Sequence, residues 1–467
     1  MRRRTSAWIV SLAAFAIAAL VTTALTANAW GTRGPNASRY STRPGAGTLL
    51  GADVGHKNAV PLGPNVPIPA PRNGAQSETT IAVDPTDPLH LIASTNEKLE
   101  TFTTTNNAYE SIDGGRTWAN TNVMPGAFCY DTWAAFNAAG DAYLAYECSA
   151  GPTGTSQDIA YKVHGTATWV KTRFPPSLVG NAPDRDMVAI DTNPASPFFT
   201  SVYIGYDDFG SSNKPYVVYS RNGQTGWTRS PKINDTGALT IGVNVAVAPD
   251  GTVYASWLDF ANKKIMVDKS TNGGVTWGTD HVVSNLRINT TTFFISIPPQ
   301  NSRGILAWSF SAVAQSGAHA GRLFEVYTDK SPAGADTNIY MRTSDDGGTT
   351  WSAERKVNDD TGGAYQFFPS IAINAAGVVG TSWYDTRNDA ASHRTDVYFA
   401  KTRDGVAFTS NRKITTAQSD ETVAGANSNQ YGDYEGIAAS PTGSFAIVWT
   451  DSRVGNMKED MYWGPAR

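Results

Sequence analysis

The sequence has little of what marks several common protein classes. Only two of its 467 residues are cysteine, six are histidine and 17% are charged. Past residue 30, no apolar pattern keeps helical spacing for even a dozen positions, which excludes a mainly helical fold. The histidines are scattered, without an HExxH motif or paired spacing, which argues against a catalytic zinc. No basic cluster occurs, so we expect no nucleic-acid partner.

The composition favours many short strands joined by tight turns. The chain has 43 glycines, 25 prolines, 13 tryptophans, 19 tyrosines and 18 phenylalanines. Aromatic residues suit pleated, half-buried strands, and glycine and proline suit the turns between them. With 40% hydrophobic residues the chain can bury a large core and is not disordered. We therefore predict an all-β fold.

The first 29 residues differ from the rest. Arg2–Arg4 precede an uncharged run over Ala7–Leu25, and the small residues of Ala27–Ala29 follow. This order is typical of a secretory signal peptide that ends at Ala29. A membrane anchor is the alternative, because the apolar run is nearly long enough to span a bilayer. Removal of the three arginines would change the formal charge from -4 to -7, and we expect a secreted or periplasmic protein with no remaining membrane segment.

A linker and one folded domain follow the predicted signal peptide. Residues 30–59 are rich in glycine and proline, which is typical of a linker. Residues 60–467 form the predicted domain. We expect it to be a monomer.

The two cysteines frame a predicted hairpin. Cys129 and Cys148 flank two strand-like segments that are joined by a turn at Asn137–Asp141. In an antiparallel hairpin centred on this turn the cysteines lie opposite each other, at a separation that a disulfide can bridge. We predict a disulfide rather than a free thiol or a two-cysteine metal site, because no histidine or further cysteine stands nearby in the sequence.

From about Ser77 the chain repeats itself every fifty to seventy residues. The clearest units are Ser111–Trp118, Ser344–Trp351 and the variant Ser270–Trp277. Weaker copies occupy Val163–Trp169, Ser220–Trp227 and Thr402–Phe408. In each clear copy an Asp or Asn can accept turn N–H groups, a Gly can take a positive φ, and the closing Trp can pack into the sheet. The residues that we expect to brace these turns are Asp113, Asn272 and Asp346.

These units resemble the Asp-box of the sialidase and bacterial-neuraminidase-repeat superfamily. The resemblance implies a β-propeller of four-stranded blades. Inner strand pairs near residues 80, 133, 188, 245, 295, 371 and 437 indicate seven blades. Six blades, the alternative, would require one unit to be an insertion. Because the last unit ends after its third strand, a segment near Val60–Ile68 is predicted to supply the missing outer strand and close the ring.

The loops on the face opposite the Asp-box turns carry the candidate chemistry. Sialidases hold the substrate carboxylate with three arginines, attack with a tyrosine that a glutamate activates, and use an aspartate as acid and base. By resemblance, the carboxylate-binding candidates are Arg185, Arg387 and Arg453. The nucleophile candidates are Tyr434 and Tyr431 beside Glu435, and the proton-donor candidates are Asp186 and Asp131. Asp385 and Asp451 share a Trp-x-Asp-x-Arg motif with two of the arginines, which favours either substrate binding or inter-blade salt bridges.

Three functions remain open from the sequence. The first is a secreted sialidase-like glycoside hydrolase that acts on a terminal or acidic sugar. The second is a non-catalytic propeller of the cell envelope that binds carbohydrate or protein, and the third is a polysaccharide lyase. A carbohydrate or glycoconjugate ligand is expected, and no cofactor is required. A structural calcium ion in the Asp-rich loops is the one metal that the residues suggest.

Overall fold

The computed structural model describes residues 65–68, 75–98, 104–121, 123, 129–149, 155–237, 239–332, 334, 336–423, 430–454 and 459–467. The predicted signal peptide and linker lie outside these described residues. Strands form almost all of the regular structure. The helical segments in the described part are one short α-helix, α1, and two turns of 3-10 helix: Pro176–Val179, Phe209–Ser211 and Thr290–Thr292.

Seven four-stranded antiparallel sheets make up the fold, which confirms the predicted seven-bladed propeller. Blade 1 comprises β2 Ala75–Val83, β3 Leu91–Lys98, β4 Thr104–Ser111 and β5 Ala119–Asn120. Blade 2 comprises β6 Cys129–Phe136, β7 Ala142–Ser149, β8 Thr155–Lys162 and β9 Val170–Phe174. Blade 3 comprises β10 Pro183–Ile190, β11 Val202–Asp208, β12 Lys214–Ser220 and β13 Thr228–Arg229. Blade 4 comprises β14 Thr240–Val247, β15 Val253–Asp259, β16 Lys264–Ser270 and β17 His281–Asn285.

The other three blades follow the same order of strands. Blade 5 comprises β20 Ser309–Val313, β21 Leu323–Lys330, β22 Thr337–Ser344 and β23 Arg355–Lys356. Blade 6 comprises β24 Gln366–Ile373, β25 Val379–Asp385, β26 Arg394–Thr402 and β27 Arg412–Lys413, and β28 Ser419–Asp420 also pairs with β26. Blade 7 comprises β29 Gly436–Ala439, β30 Phe445–Asp451, β31 Asp460–Ala466 and the N-terminal strand β1 Val66–Ile68.

The N-terminal strand closes the ring, as predicted. β1 pairs antiparallel with β31, and Val66 lies opposite Trp463. Ile68 and Trp463 then share a buried cluster with Ile81 and Leu91 of blade 1. β1 therefore covers the outer edge of β31, and these two strands together pack blade 7 against blade 1.

The position predicted for the fifth inner strand pair, near residue 295, is wrong. The apolar segment there forms a separate two-stranded hairpin of β18 Ile295–Ile297 and β19 Gln300–Ile305, which pairs with no blade. The inner pair of blade 5 is β20 and β21, about fifteen residues later in the chain. A short strand-like pattern does not reveal its pairing partner, because both hairpins and blades require the same alternating apolar residues.

The predicted disulfide and the predicted turns are both present. Cys129 and Cys148 are cross-strand partners in β6 and β7 and form a disulfide. The segment Ser111–Trp118 joins β4 to β5, and Ser344–Trp351 joins β22 to β23. These segments therefore lie between third and fourth strands, on the face opposite the loops that enter each first strand. No helix of the described residues is long and apolar enough to cross a membrane.

Alanine recurs at one level of the central channel. Each first strand has an alanine one residue before its last paired residue: Ala82, Ala135, Ala189, Ala246, Ala312, Ala372 and Ala438. Seven strands converge here, so large side chains would collide. A cavity of about 280 Å³ lies between the first strands, and it is lined in part by Trp133, Met187, Asn244 and Phe310.

Candidate functional site

A recurring backbone irregularity sets the mouth of the channel. In five blades the pairing of the first two strands shifts by a bulge close to where the chain enters the first strand. At each bulge one residue takes a left-handed φ, namely Glu78, Asp131, Arg185, Gly242 and Phe368. Such φ values are uncommon for residues other than glycine, and bulges redirect side chains at functional rims.

The equivalent positions in blades 5 and 7 are Trp308 and Tyr434, counted from the register of Phe310 and Gly436 with their second strands. We call the seven residues the bulge ring: Glu78, Asp131, Arg185, Gly242, Trp308, Phe368 and Tyr434. Three predicted site residues, Asp131, Arg185 and Tyr434, belong to it. The bulge ring thus brings together residues that are about 300 positions apart in the sequence.

Arg185 is a buried cation that is 1% exposed. Among the described residues, none accepts a hydrogen bond from any of its three guanidinium nitrogens. Its Cζ lies 3.2 Å from the centre of the Trp308 ring and 5.2 Å from the centre of the Tyr434 ring. Gly242 makes this stack possible, because a Cβ there would come within 2.4 Å of the Trp308 ring. Burial lowers the pKa of Arg185 to about 10, partly offset by nearby Tyr434 and Asp433.

Two acidic members of the bulge ring form a pair. Asn96 Nδ2 donates to Glu78 Oε2 and, at 3.3 Å, to Asp131 Oδ1. Burial raises the pKa of the Glu78 carboxyl well above its usual range, and the charge of Asp131 raises it further. Burial also raises the pKa of Asp131. Two carboxyl groups this close cannot both ionise easily, so the charged form of one disfavours the charged form of the other.

Asp131 also takes part in a cluster of three carboxylates with Glu147 and Asp184. One oxygen of each lies within 4.8 Å of the others. Burial, together with the neighbouring acidic charges, raises the pKa of Glu147 and of Asp184 well above the usual values. The cluster can keep protons, or it can offer oxygen ligands to the calcium ion that the sequence suggests. Calcium takes about six to eight oxygens, so backbone or water oxygens would have to complete the shell.

Tyr434 contacts this acidic group rather than its predicted partner. Its hydroxyl donates to Asp131 Oδ1 at 3.3 Å, and the residue is 2% exposed. Burial raises the pKa of Tyr434 well above 10, as do the charges of Asp131 and Glu78. Glu435 is 0% exposed. Burial raises the pKa of its carboxyl well above the usual range, and the hydroxyl of Ser382 partly offsets this shift. Successive residues of an extended chain point to opposite sides, so the predicted pairing of Tyr434 with Glu435 is not made.

Arg303 is a site residue that sequence reasoning missed. It lies on β19 of the extra hairpin, where its Nε and Nη2 donate to Asp433 at 2.9 and 2.6 Å. Its Nη2 also donates to Glu78 Oε1 at 3.2 Å. Gln300 Nε2 fixes the hairpin to Gly432 O at 2.7 Å. The side chain of Arg303 is 25% exposed, so it forms part of the solvent-facing rim of the mouth.

Arg387 and Arg453 do not join Arg185. Arg387 Nη2 donates to Asp385 at 2.8 Å, and Arg453 Nη2 donates to Asp451 at 2.6 Å. Their guanidinium groups lie 4.2 and 4.3 Å from the ring centres of two third-strand tyrosines, Tyr398 and Tyr462. These contacts lie outside the circle of first strands. The predicted clamp of three arginines is therefore not assembled. Each Asp–Arg pair lies within one blade, and Arg387 Nη1 also donates at 2.6 Å to Asp359, in the connection from blade 5 to blade 6.

The remaining candidates lie in the packed interior. Tyr431 is fully buried, its ring centre is 4.7 Å from that of Tyr384, and its hydroxyl accepts from Thr395 Oγ1 at 2.9 Å. Asp186 is buried between blades 2 and 3, where Gln157 Nε2 donates to it. The position of Asp186 follows from the alternation of side chains along β10, which turns it away from the side that its neighbour Arg185 faces. Tyr431 lies in a turn between Gln430 and Gly432, which both have positive φ.

Comparisons with known proteins concern the fold. No protein-family model matches the chain, and no curated protein matches it. It is similar to a leech intramolecular trans-sialidase, with 10% identity and a TM-score of 0.49 over 71% of this chain and 68% of that one. A sialidase from Streptococcus pneumoniae gives 8% identity and a TM-score of 0.48 over 72% and 68%. An α-L-arabinofuranosidase from Fusarium graminearum gives 11% and 0.46 over 86% and 97%.

At these identities the likeness is one of fold alone. The seven-bladed architecture stands on the strand order of the chain itself. The propeller fold that the resemblance in the sequence implied is confirmed by that strand order.

Proposed function

We propose that the protein is a secreted glycoside hydrolase of the sialidase type, which acts on a terminal acidic sugar of glycoconjugates. The observation that carries this proposal is the unpaired guanidinium of Arg185 at the centre of the bulge ring. A buried charge without a partner is costly, and a sugar carboxylate would supply two parallel hydrogen bonds to it. Export is supported by the predicted signal peptide and by the Cys129–Cys148 disulfide.

Arg185 and Arg303 are the proposed carboxylate-binding residues. Arg303 is paired with Asp433 and Glu78, so a ligand would share it with these acids. The Trp308 ring stacks on one side of the Arg185 guanidinium and holds it in place. Ligand binding therefore costs less conformational entropy of the Arg185 side chain. This assignment keeps one arginine of the predicted clamp and replaces the other two by one from the extra hairpin.

Tyr434 is the proposed nucleophile. Its oxygen forms a bond to the anomeric carbon as the glycosidic C–O bond breaks, and its proton passes to Asp131, to which it is already hydrogen-bonded. Asp184 gives its proton to the leaving oxygen. Water then attacks the anomeric carbon and gives a proton to Asp184 while the bond between Tyr434 and that carbon breaks, and the Tyr434 oxygen takes its proton back from Asp131. Burial raises the pKa of Asp184, which favours the protonated form that a general acid requires.

The test compares two leaving groups on the full mature chain. We expect Tyr434→Phe to abolish turnover of both a nitrophenyl and an alkyl sialoside. Asp184→Asn should lower kcat on the alkyl sialoside by about 10²- to 10⁴-fold, because its leaving oxygen needs a proton. The nitrophenyl substrate should lose much less, since nitrophenolate leaves unaided. Tyr398→Phe is the matched control, because that hydroxyl accepts from Asn388 outside the mouth.

Full rates in Tyr434→Phe would remove the nucleophile assignment. Saturable binding of acidic glycans without turnover would establish the binding propeller instead. If neither sialosides nor other acidic glycans bind, the sugar-processing proposal fails as a whole.

A further inference from the structure

A second cluster of polar side chains lies on the tight-turn face, away from the mouth. Asp84 and His90 flank the turn between β2 and β3 of blade 1, and His164 lies in the turn between β8 and β9 of blade 2. His90 Nδ1 lies 2.9 Å from Asp84 Oδ2, and His164 Nδ1 lies 3.2 Å from the same oxygen. One ligand atom from each of the three residues falls within 4.8 Å of the others. The cluster therefore bridges two neighbouring blades.

The turn at position 84 does not need a carboxylate. In blades 2 and 6 the equivalent residues are Asn137 and Asn374, whose amide oxygens accept two backbone N–H groups each. Asp84 Oδ1 braces its own turn in the same way, through the N–H of Thr86 at 2.8 Å. An asparagine would satisfy that turn. The second oxygen of Asp84, which an amide would replace with a donor, faces the two imidazoles.

Both ring nitrogens of His90 face carboxylate oxygens. Its Nε2 lies 2.7 Å from Glu110 Oε1, and its Nδ1 lies 2.9 Å from Asp84 Oδ2. A neutral imidazole carries one N–H, so it can satisfy only one of these oxygens as a donor. The other nitrogen's lone pair would face a carboxylate unless a second proton or a metal ion lies between them. A carboxylate on the remote nitrogen is the usual outer partner of a metal-binding histidine.

Gly140 shapes the same corner from blade 2. It has a φ of +84°, and a Cβ there would lie 2.5 Å from His164 Nδ1 and 2.9 Å from each oxygen of Asp84. A side chain at position 140 would therefore clash with both His164 and Asp84, so glycine is what lets these two residues approach each other. His164 is held by its own N–H, which donates to Asp141 Oδ1 at 2.8 Å.

We propose that Asp84, His90 and His164 bind a zinc ion that links blades 1 and 2. Two imidazole nitrogens and one carboxylate form a donor set that suits zinc better than calcium or magnesium, which prefer oxygen ligands. Glu110 orients His90 from the outer shell. Water completes a tetrahedral site on the side of His164, whose side chain is 48% exposed. This site shares no residue with the proposed hydrolase mouth, so the two proposals stand or fall separately.

The test uses the full mature chain without a histidine tag, stripped with a chelator and titrated with zinc by calorimetry. We expect one equivalent to bind and to raise Tm, and we expect calcium to do neither. His164→Gln should lose the saturable site. Glu110→Gln should weaken zinc binding by about 10- to 100-fold. His393→Gln, which changes an exposed histidine elsewhere, should bind zinc as the wild type does.

X-ray absorption at the zinc edge should then show two imidazole ligands on the zinc bound to the wild type. If zinc fails to bind stoichiometrically, or if His164→Gln binds it as tightly as the wild type, the proposal is overturned. The cluster would then be a doubly protonated His90 held between two carboxylates.

Discussion

The two faces of the propeller repeat in different ways. On the tight-turn face, Asp113, Asn272 and Asp346 each accept the backbone N–H four residues later at 2.9 Å. At the mouth, the seven positions of the bulge ring share a place in the strand register but carry five different side-chain chemistries. A residue that recurs with the same contacts stabilises the propeller. A position whose chemistry changes from blade to blade is free to serve a ligand.

The arginines show the same contrast within one residue type. Arg387 and Arg453 repeat in adjacent blades, and each is paired with an aspartate. That aspartate also accepts a hydrogen bond from a buried Trp Nε1. Arg185 occurs once and has no such partner. Recurrence therefore separates structural from functional arginines in this fold, and the predictions below test that separation.

The largest effect is expected where a recurring pair is broken. Arg387→Met leaves Asp385 fully buried without its cation, so we expect a loss of about 3 kcal/mol in unfolding free energy. Arg453→Met should lose a similar amount, and the two losses should add, because no contact in the described residues joins the pairs. Urea unfolding measures this. Specific activity per folded molecule should stay unchanged, and a selective loss of activity would return both arginines to the site.

The two faces should also respond to pH with opposite signs. Burial raises the pKa of Asp207, near the mouth, to about 6, with Thr240 partly offsetting it. The folded state then binds the proton more tightly than the unfolded state, so stability falls as pH rises from about 4 to about 6. We expect this contribution to be on the order of 2 kcal/mol and to vanish in Asp207→Asn.

Asp346, on the tight-turn face, should behave in the reverse manner. Hydrogen bonds from Thr350 lower its pKa to about 2. Its contribution is therefore present above pH 4 and is lost as pH falls from about 4 to about 2. Urea midpoints across this range, with Asp346→Asn as the comparison, check the sign. Equal pH profiles for the two faces would contradict the contrast.

Replacing the unpaired arginine should stabilise the fold. Arg185→Met removes a buried charge that has no partner and keeps an apolar contact with Trp308, so we expect a gain of about 1–2 kcal/mol. The same change should abolish binding of acidic glycans. Arg185→Lys keeps the charge and should not stabilise. Thermal unfolding and glycan binding measure the two outcomes. A destabilised Arg185→Met would show that this arginine stabilises the propeller instead.

The smallest effect is expected in a braced turn. Asp113→Ala removes the acceptor of the Thr117 N–H and should cost about 1 kcal/mol. Asp113→Asn should cost less than half of that, because Asn272 makes the same contact in blade 4. Urea unfolding distinguishes the two variants, and neither should alter activity. A loss of activity in either would give this face a role in function.

Most of the fold could be predicted from the sequence because its determinants are local. The turn units, the Cys129–Cys148 hairpin and the closing strand at Val66–Ile68 each depend on residues close together in the chain or on a missing strand. The fifth blade was misplaced because the hairpin of β18 and β19 has the same local pattern as a blade strand. Pairing partners are not encoded locally.

The candidate site was predicted only in part. Asp131, Arg185 and Tyr434 were identified because they precede first strands, and the structure brings them together. Arg303 was missed because it belongs to no repeat. Tyr434 was paired with Glu435 because they are adjacent in sequence, yet adjacent residues of an extended chain point apart. The zinc candidate was invisible because His90 and His164 are 74 residues apart.

The sequence by itself determined the all-β class, the number of blades, the disulfide and the turns, since hydrogen bonds over a few residues decide them. Only the tertiary structure decided which charges meet. The bulges turn single residues of separate blades toward one axis. There Arg185 is buried without a hydrogen-bond partner among the described residues, whereas Arg387 and Arg453 pair with aspartates of their own blades. Charge pairing depends on distance and burial in space, and neither is written in the spacing of residues along the chain.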